Sequence, residues 1–124
     1  MRVMTWNLWW RFGPWEERAA AIDVVVRETN PDVLLLQEVW GVDGDSAAHR
    51  LAERLGYHVS ISDSPVRDDG DIGFHNAIVS RWPQHEVHSH PLPRADGSAG
   101  HRRALVAVLE TPAGRWPVAS THLD

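Results

Sequence analysis

From Arg2 to Leu8 the chain alternates, with Val3, Thr5 and Asn7 on one side and Met4, Trp6 and Leu8 on the other, the period of two that predicts a β-strand. After a loop carrying Gly13-Pro14 the spacing lengthens. Trp15, Ala19, Ile22 and Val26 form one stripe, Glu16 and Glu17 occupy the first turn, and Pro31 closes the segment, so a surface helix packed on a sheet is expected. Asp32 to Val39 is a continuous apolar run, the pattern of a central strand buried on both faces. Strand, helix and strand in that order predict a parallel crossover unit. Ser46 can cap a second helix running to about Leu55, because Leu51 and Leu55 share a face and Gly56 offers a left-handed stop. Tyr57 to Ser62 then reads as a strand, and Ser64 to Gly73, dense in turn formers and charge, as an exposed loop. His75 to Arg81, Glu86 to His90, Arg103 to Glu110 and Trp116 to His122 follow as strands, the last two joined by a hairpin at Thr111 to Gly114. The second half therefore reads as a β-meander.

Composition narrows the chemistry. A chain of 124 residues, 43% hydrophobic and 23% charged, fits one folded domain over 1–124 with one modest core. Cysteine is absent, which removes disulfides, thiolate metal sites and cysteine nucleophiles and suits a reducing compartment. With a net charge of −5 no basic field covers the surface, so a phosphate ligand has to be gripped locally, by a metal or a few arginines. All 12 basic residues are Arg, which excludes Schiff-base lysines and the lysine of a phosphate-binding loop. No apolar stretch approaches the roughly 20 residues of a membrane span and no signal peptide is visible, so a cytoplasmic location is expected.

Three polar residues fall at or near the downstream ends of predicted strands, where α/β sheets gather their ligands: Asn7 in T-W-N-L, Glu38 in L-L-L-Q-E-V and His122 in S-T-H-L-D. An ionised carboxylate at the end of a wholly apolar strand costs about several kcal/mol unless something pairs with it, and a hard cation such as Mg²⁺ is such a partner. The plainer readings are that Glu38 emerges into solvent, that Asn7 bonds its own loop, and that His122 is a surface histidine.

Taken together, T-W-N-L, P-D-V-L-L-L-Q-E-V, H-N-A-I-V-S-R-W-P, R-R-A-L-V-A-V and S-T-H-L-D, in that order across the chain, resemble the endonuclease/exonuclease/phosphatase superfamily. The resemblance implies an α+β fold, the deoxyribonuclease I-like four-layer α-β-β-α sandwich, of which this chain is the first half: a mixed β-sheet with two helices on one face. It also implies a Mg²⁺-dependent phosphoester hydrolase, with Mn²⁺ as the alternative ion. By the same likeness Glu38 binds the cation, Asn7 helps hold the metal and the scissile phosphate, and His122 serves the leaving group as an acid. One arginine of Arg102-Arg103 contacts phosphate, with Arg103 nearer the family register, and Asn76 belongs to a motif that is mainly structural, with contact to the phosphate as the alternative. The substrate is left open among nucleic acid, phospholipid and sugar phosphate.

The departures matter as much. The family's later G-D-x-N and S-D-H motifs, which carry further metal ligands and the aspartate that positions water, have no counterpart, since Gly44-Asp45 continues as Ser46-Ala47 and Gly70-Asp71 as Ile72-Gly73. The chain alone is therefore expected to be a very poor catalyst. Two non-catalytic readings compete. One is a metal-binding module on His85, His88 and His90, set against the solvated face of an edge strand; the other is a half-domain that self-associates through an open sheet face, for which seven tryptophans supply apolar surface. Asp68-Asp69-Gly70-Asp71 reads as an acidic loop, and Trp9-Trp10 as packing.

Overall fold

Residues 1–68 and 70–123 are described by a computed structural model; Asp69 of the acidic loop and Asp124 lie outside them. The first strand, β1 (Val3–Asn7), leads through the Trp9-Trp10 loop into α1 (Trp15–Thr29) and back into β2 (Val33–Val42), which pairs with β1 in parallel. A two-residue strand β3 (Asp45–Ser46) and α2 (Ala47–Leu55) follow, then β4 (His58–Ile61), β5 (Arg67–Asp68) and β6 (Ile72–Ser80). These strands make one mixed sheet with the path β1-β2-β6-β4, while β7 (Gln84–Pro91), β8 (Arg103–Thr111) and β9 (Gly114–Thr121) make a second, antiparallel sheet.

The crossover and both helices stand where the sequence places them, and α2 is capped as expected. The Ser46 hydroxyl accepts the His49 amide at 3.0 Å, and Gly56 ends the helix in the left-handed region at φ +68°. Helix α1 stops at Thr29 because Asn30 turns left-handed, ahead of Pro31. The meander is corrected. Strand β6 does not belong with β7 to β9: its buried run pairs with β2 and β4, and the chain changes sheet after Ser80. The expected loop 64–73 also holds β5 and the first residues of β6.

Two faces of β2 serve two cores. Leu34, Leu36 and Val39 pack with Val79 and with Ile22, Val26, Leu51 and Ala52 of the helices. Val33, with Leu35 beside it, packs through Ile78 onto Leu105, Ala107 and Leu109 of the second sheet. Three layers, helices on sheet on sheet, result. A third cluster, Trp10, Trp40 and Ile72, closes the loop end, where the Trp10 indole lies 4.4 Å from the Phe74 ring and donates to Gly73 O at 3.0 Å. No helix among the described residues is long and apolar enough to cross a membrane.

Candidate functional site

Glu38 sits inside β2, not at its end, and a β-bulge aims it. Leu36 pairs with Ala77 and Val39 with His75, so Gln37 and Glu38 together oppose Asn76 alone. Glu38 takes φ +48°, a left-handed conformation that costs a non-glycine residue about 1–2 kcal/mol. Two consecutive residues then reach the second sheet, which regular alternation forbids. Gln37 Nε2 donates to Ser120 Oγ at 3.1 Å, and Ser120 Oγ donates to Leu36 O at 2.9 Å, tying β9 to β2. Glu38 Oε1 stands 3.7 Å from His122 Nδ1, just beyond the end of β9, while Glu38 Oε2 is buried with no hydrogen-bond partner among the described residues.

A cleft of about 420 Å³ opens between the sheets at this point. Glu38, Asn76, Arg102, Arg103 and His122 line it, with Phe12, Phe74 and Val66 forming an apolar wall. Glu38 and His122 keep side-chain exposures of only 22% and 28%, so their interaction is poorly screened by water. Arg102 Nη1 lies 3.0 Å from His122 Nδ1. A guanidinium only donates, so Nδ1 is the acceptor there and the neutral ring carries its proton on Nε2. The histidine thus stands between a cation and a carboxylate.

The two arginines are held differently. Arg103 is only 15% exposed and gives Nε to both Asp63 oxygens, at 2.9 and 3.1 Å, and Nη1 to Arg102 O at 3.0 Å. Desolvation pushes the Asp63 carboxyl up, but hydrogen bonds from Ser89 and Arg103 and the arginine's charge outweigh it and hold the pKa below the usual aspartate value. Asn76, fully in the wall, gives Nδ2 to Arg103 O at 2.7 Å, and its amide donates to Ser62 Oγ at 2.9 Å. Arg103 and Asn76 therefore brace the cleft. Asn7 lies one strand over, paired with Gln37, and its Oδ1 accepts the Trp9 amide at 2.8 Å, the loop-bonding role. It is outside the residues that line the cleft.

His75 was missed as a site residue. Its ring is buried in the cleft wall, and Nδ1 donates to Ser62 O at 2.7 Å. It rests in a cradle of two facing glycines: a Cβ on Gly73 would lie 2.4 Å from Nε2, and one on Gly41 2.8 Å from Cδ2. The signal was legible in principle, since a glycine inside a strand marks close approach. His101 also lines the cleft. Among the described residues no group of three or more histidine, aspartate or glutamate side chains is arranged to hold a metal.

The solved structure of an endonuclease/exonuclease/phosphatase from Beutenbergia cavernae is 26% identical, with a TM-score of 0.76 over 99% of this chain and 38% of that one. The catalytic domain of human Nocturnin with bound sulfate is 26% identical, with a TM-score of 0.80 over 100% of this chain and 49% of that one. A family protein from Leptotrichia buccalis, 17% identical, shares the fold with a TM-score of 0.81 over 100% of this chain and 54% of that one. The chain thus spans about half or less of the length of these structures, and its two packed sheets are the corresponding part of their deoxyribonuclease I-like fold. No curated protein matches it. The model of the Endonuclease/Exonuclease/phosphatase family matches residues 4–117, a span that takes in Asn7, Glu38 and both arginines, and the chain belongs to that family.

Proposed function

We propose that this chain carries the anion- and metal-binding part of a Mg²⁺-dependent phosphoester hydrolase. One observation carries the reading: a buried carboxylate oxygen, Glu38 Oε2, has no hydrogen-bond partner among the described residues, in a cleft whose other ionisable side chains are arginine and histidine. Burying an unpaired carboxylate oxygen is costly, and an oxygen-seeking cation supplies the missing partner. Mg²⁺ suits it because that ion keeps several waters and needs only one or two carboxylates alongside substrate oxygens. Glu38 would hold it. Asn7 would assist through the second lone pair of Oδ1, the first being taken by the Trp9 amide. When bound, the ion neutralises charge on the phosphoryl oxygens.

The chain's own residues do the rest. Arg102, which bonds His122, and Arg103, which is also held by Asp63, both line the cleft and would contact the phosphate. His122 would present its Nε2–H to the departing oxygen as a hydrogen-bond donor, and Arg103 with Asn76 keeps the wall in place. Residues that activate water are expected from a further segment, so this chain alone turns over very slowly. The sulfate in Nocturnin's catalytic domain supports an anion in the corresponding fold. Whether the ester is nucleic acid, phospholipid or sugar phosphate is settled by loops and by that further segment.

The test is Mn²⁺, used as a paramagnetic stand-in for Mg²⁺. Mn²⁺ is expected to broaden the NMR signals of His122 and of the Glu38 neighbours, to be displaced by Mg²⁺, and to lose this effect in Glu38→Gln. Unchanged broadening in Glu38→Gln would sink the assignment. In a protein that includes the further segment, Glu38→Ala should abolish Mg²⁺-dependent turnover.

A further inference from the structure

The second sheet carries a pair of imidazoles that the cleft does not use. In β7, His85 pairs with Val108 and His88 with Val106, so Glu86 and Val87 together oppose Ala107. Glu86 takes φ +51° at this bulge. The extra residue shifts the alternation by one. His85, His88 and His90 all come to lie beside Val108, Val106 and Ala104, on the face opposite the buried Leu105, Ala107 and Leu109. Without the bulge His85 would fall on the other face from the later two.

The three histidines differ in their partners. His85 Nε2 is engaged by Glu110 Oε2 at 2.8 Å. His88 and His90, both exposed, have no hydrogen-bond partner among the described residues and face each other, with ring centroids 5.9 Å apart and planes at 47°. The residues across the strand from them, Val106 and Ala104, are small and aliphatic. Glu86, in the bulge, adds a carboxylate nearby, which is paired with Arg115.

We propose that His88 and His90 form a two-imidazole surface site for a divalent transition ion, Cu²⁺, Ni²⁺ or Zn²⁺, separate from the oxygen site at Glu38. With metal–nitrogen bonds of about 2.0–2.1 Å, an ion lies ~3.2 Å from each ring centroid, so two imidazoles at square-planar or tetrahedral angles have centroids about 4.5–5.2 Å apart. From 5.9 Å the rings need to close by roughly 1 Å, within the reach of χ rotation in exposed side chains. Waters complete the coordination shell. Imidazole selects these ions over Mg²⁺, and Cu²⁺ binds tightest in the series. The site owes nothing to the hydrolase reading.

The experiment is a Cu²⁺ titration of the untagged chain, followed by calorimetry and by electron paramagnetic resonance. One ion per chain with a two-nitrogen signature is expected. His88→Ala and His90→Ala should each weaken binding by about tenfold or more, the loss of a chelating pair, while His85→Ala and Glu38→Gln leave it unchanged and a large excess of Mg²⁺ does not compete. Circular dichroism checks that each variant keeps its fold, as expected for exposed positions on an outer strand. Parent-like affinity in His88→Ala or His90→Ala overturns the site. So does an equal loss in His85→Ala, which would make it a three-histidine site, or scattered binding of several weak ions.

Discussion

Adding one methyl group at Gly73 should cost far more than its size suggests. The new Cβ would stand 2.4 Å from His75 Nε2, 3.0 Å from Cε1 and 3.1 Å from the Ser64 Cβ. Carbon contacts are comfortable at about 3.5–4.0 Å, so the ring must retreat by roughly 1 Å. It has nowhere easy to go, because Nδ1 is tied to Ser62 O at 2.7 Å and the Gly41 backbone lies close to Cδ2. Overpacking of this kind costs about 1–3 kcal/mol, and weakening the Nδ1 hydrogen bond to Ser62 about 1 kcal/mol more, so Gly73→Ala is expected to lose about 2–4 kcal/mol. For a domain of this size that is a fall of roughly 8–16 °C in Tm. Urea unfolding followed by tryptophan fluorescence reads the first quantity, and a thermal melt the second. The decisive comparison is a cycle with His75→Ala. Once the ring is gone the methyl has room, and because a strand alanine orders less backbone freedom than glycine, Gly73→Ala should become neutral or slightly stabilising there. Equal cost with and without the imidazole would refute the cradle, as would a Gly73→Ala stability within about 0.5 kcal/mol of the parent.

Other expectations rest on single contacts. Ser46→Ala removes the hydroxyl that accepts the His49 amide and should cost about 1 kcal/mol in urea unfolding, with the lost helicity confined to α2. Gln37→Ala and Ser120→Ala should each destabilise the chain, and the double variant should cost about 0.5–3 kcal/mol less than their sum, because both break the same tie between the sheets; simple additivity would mean the sheets are held by apolar packing alone. The Asp32 carboxyl is held below its usual pKa by the Arg2 amide and by the Arg81 guanidinium. A group depressed in the folded state contributes fully above its unfolded pKa, so the stability gap between the parent and Asp32→Asn should be flat from about pH 7 to pH 5 and shrink as pH falls below about 4. A gap that grows on acidification would have the wrong sign.

Bulges explain most of what could not be read from the chain. Glu38 stood out in sequence because a carboxylate interrupts an apolar run, yet a strand of ordinary pleat would send Gln37 and Glu38 to opposite faces. Only the pairing of β2 with β6, which sets two residues against Asn76, brings both to the side of β9. Nothing local in Q-E-V marks that extra residue. The assignment of β6 and β7 to different sheets was hidden for the same reason, because hydrogen-bond partners lie far along the chain and both segments look like strands. The arginines show it again. Arg102 and Arg103 are adjacent and chemically identical, but Arg103 is held by Asp63, which Ser89 bonds in turn, both distant in sequence, while Arg102 bonds His122.

What the sequence by itself determined was every local choice with a strong short-range signal: the strand period of β1, the stripe of α1, the cap and stop of α2, the buried run of β2, and the residue types of a family whose motifs stand in order. Tertiary structure decided where those residues point. Register, bulge and sheet membership are set by backbone pairing between segments far apart in the chain, and side-chain direction follows from them with a period of two, so one inserted residue turns a carboxylate from the helix side to the cleft.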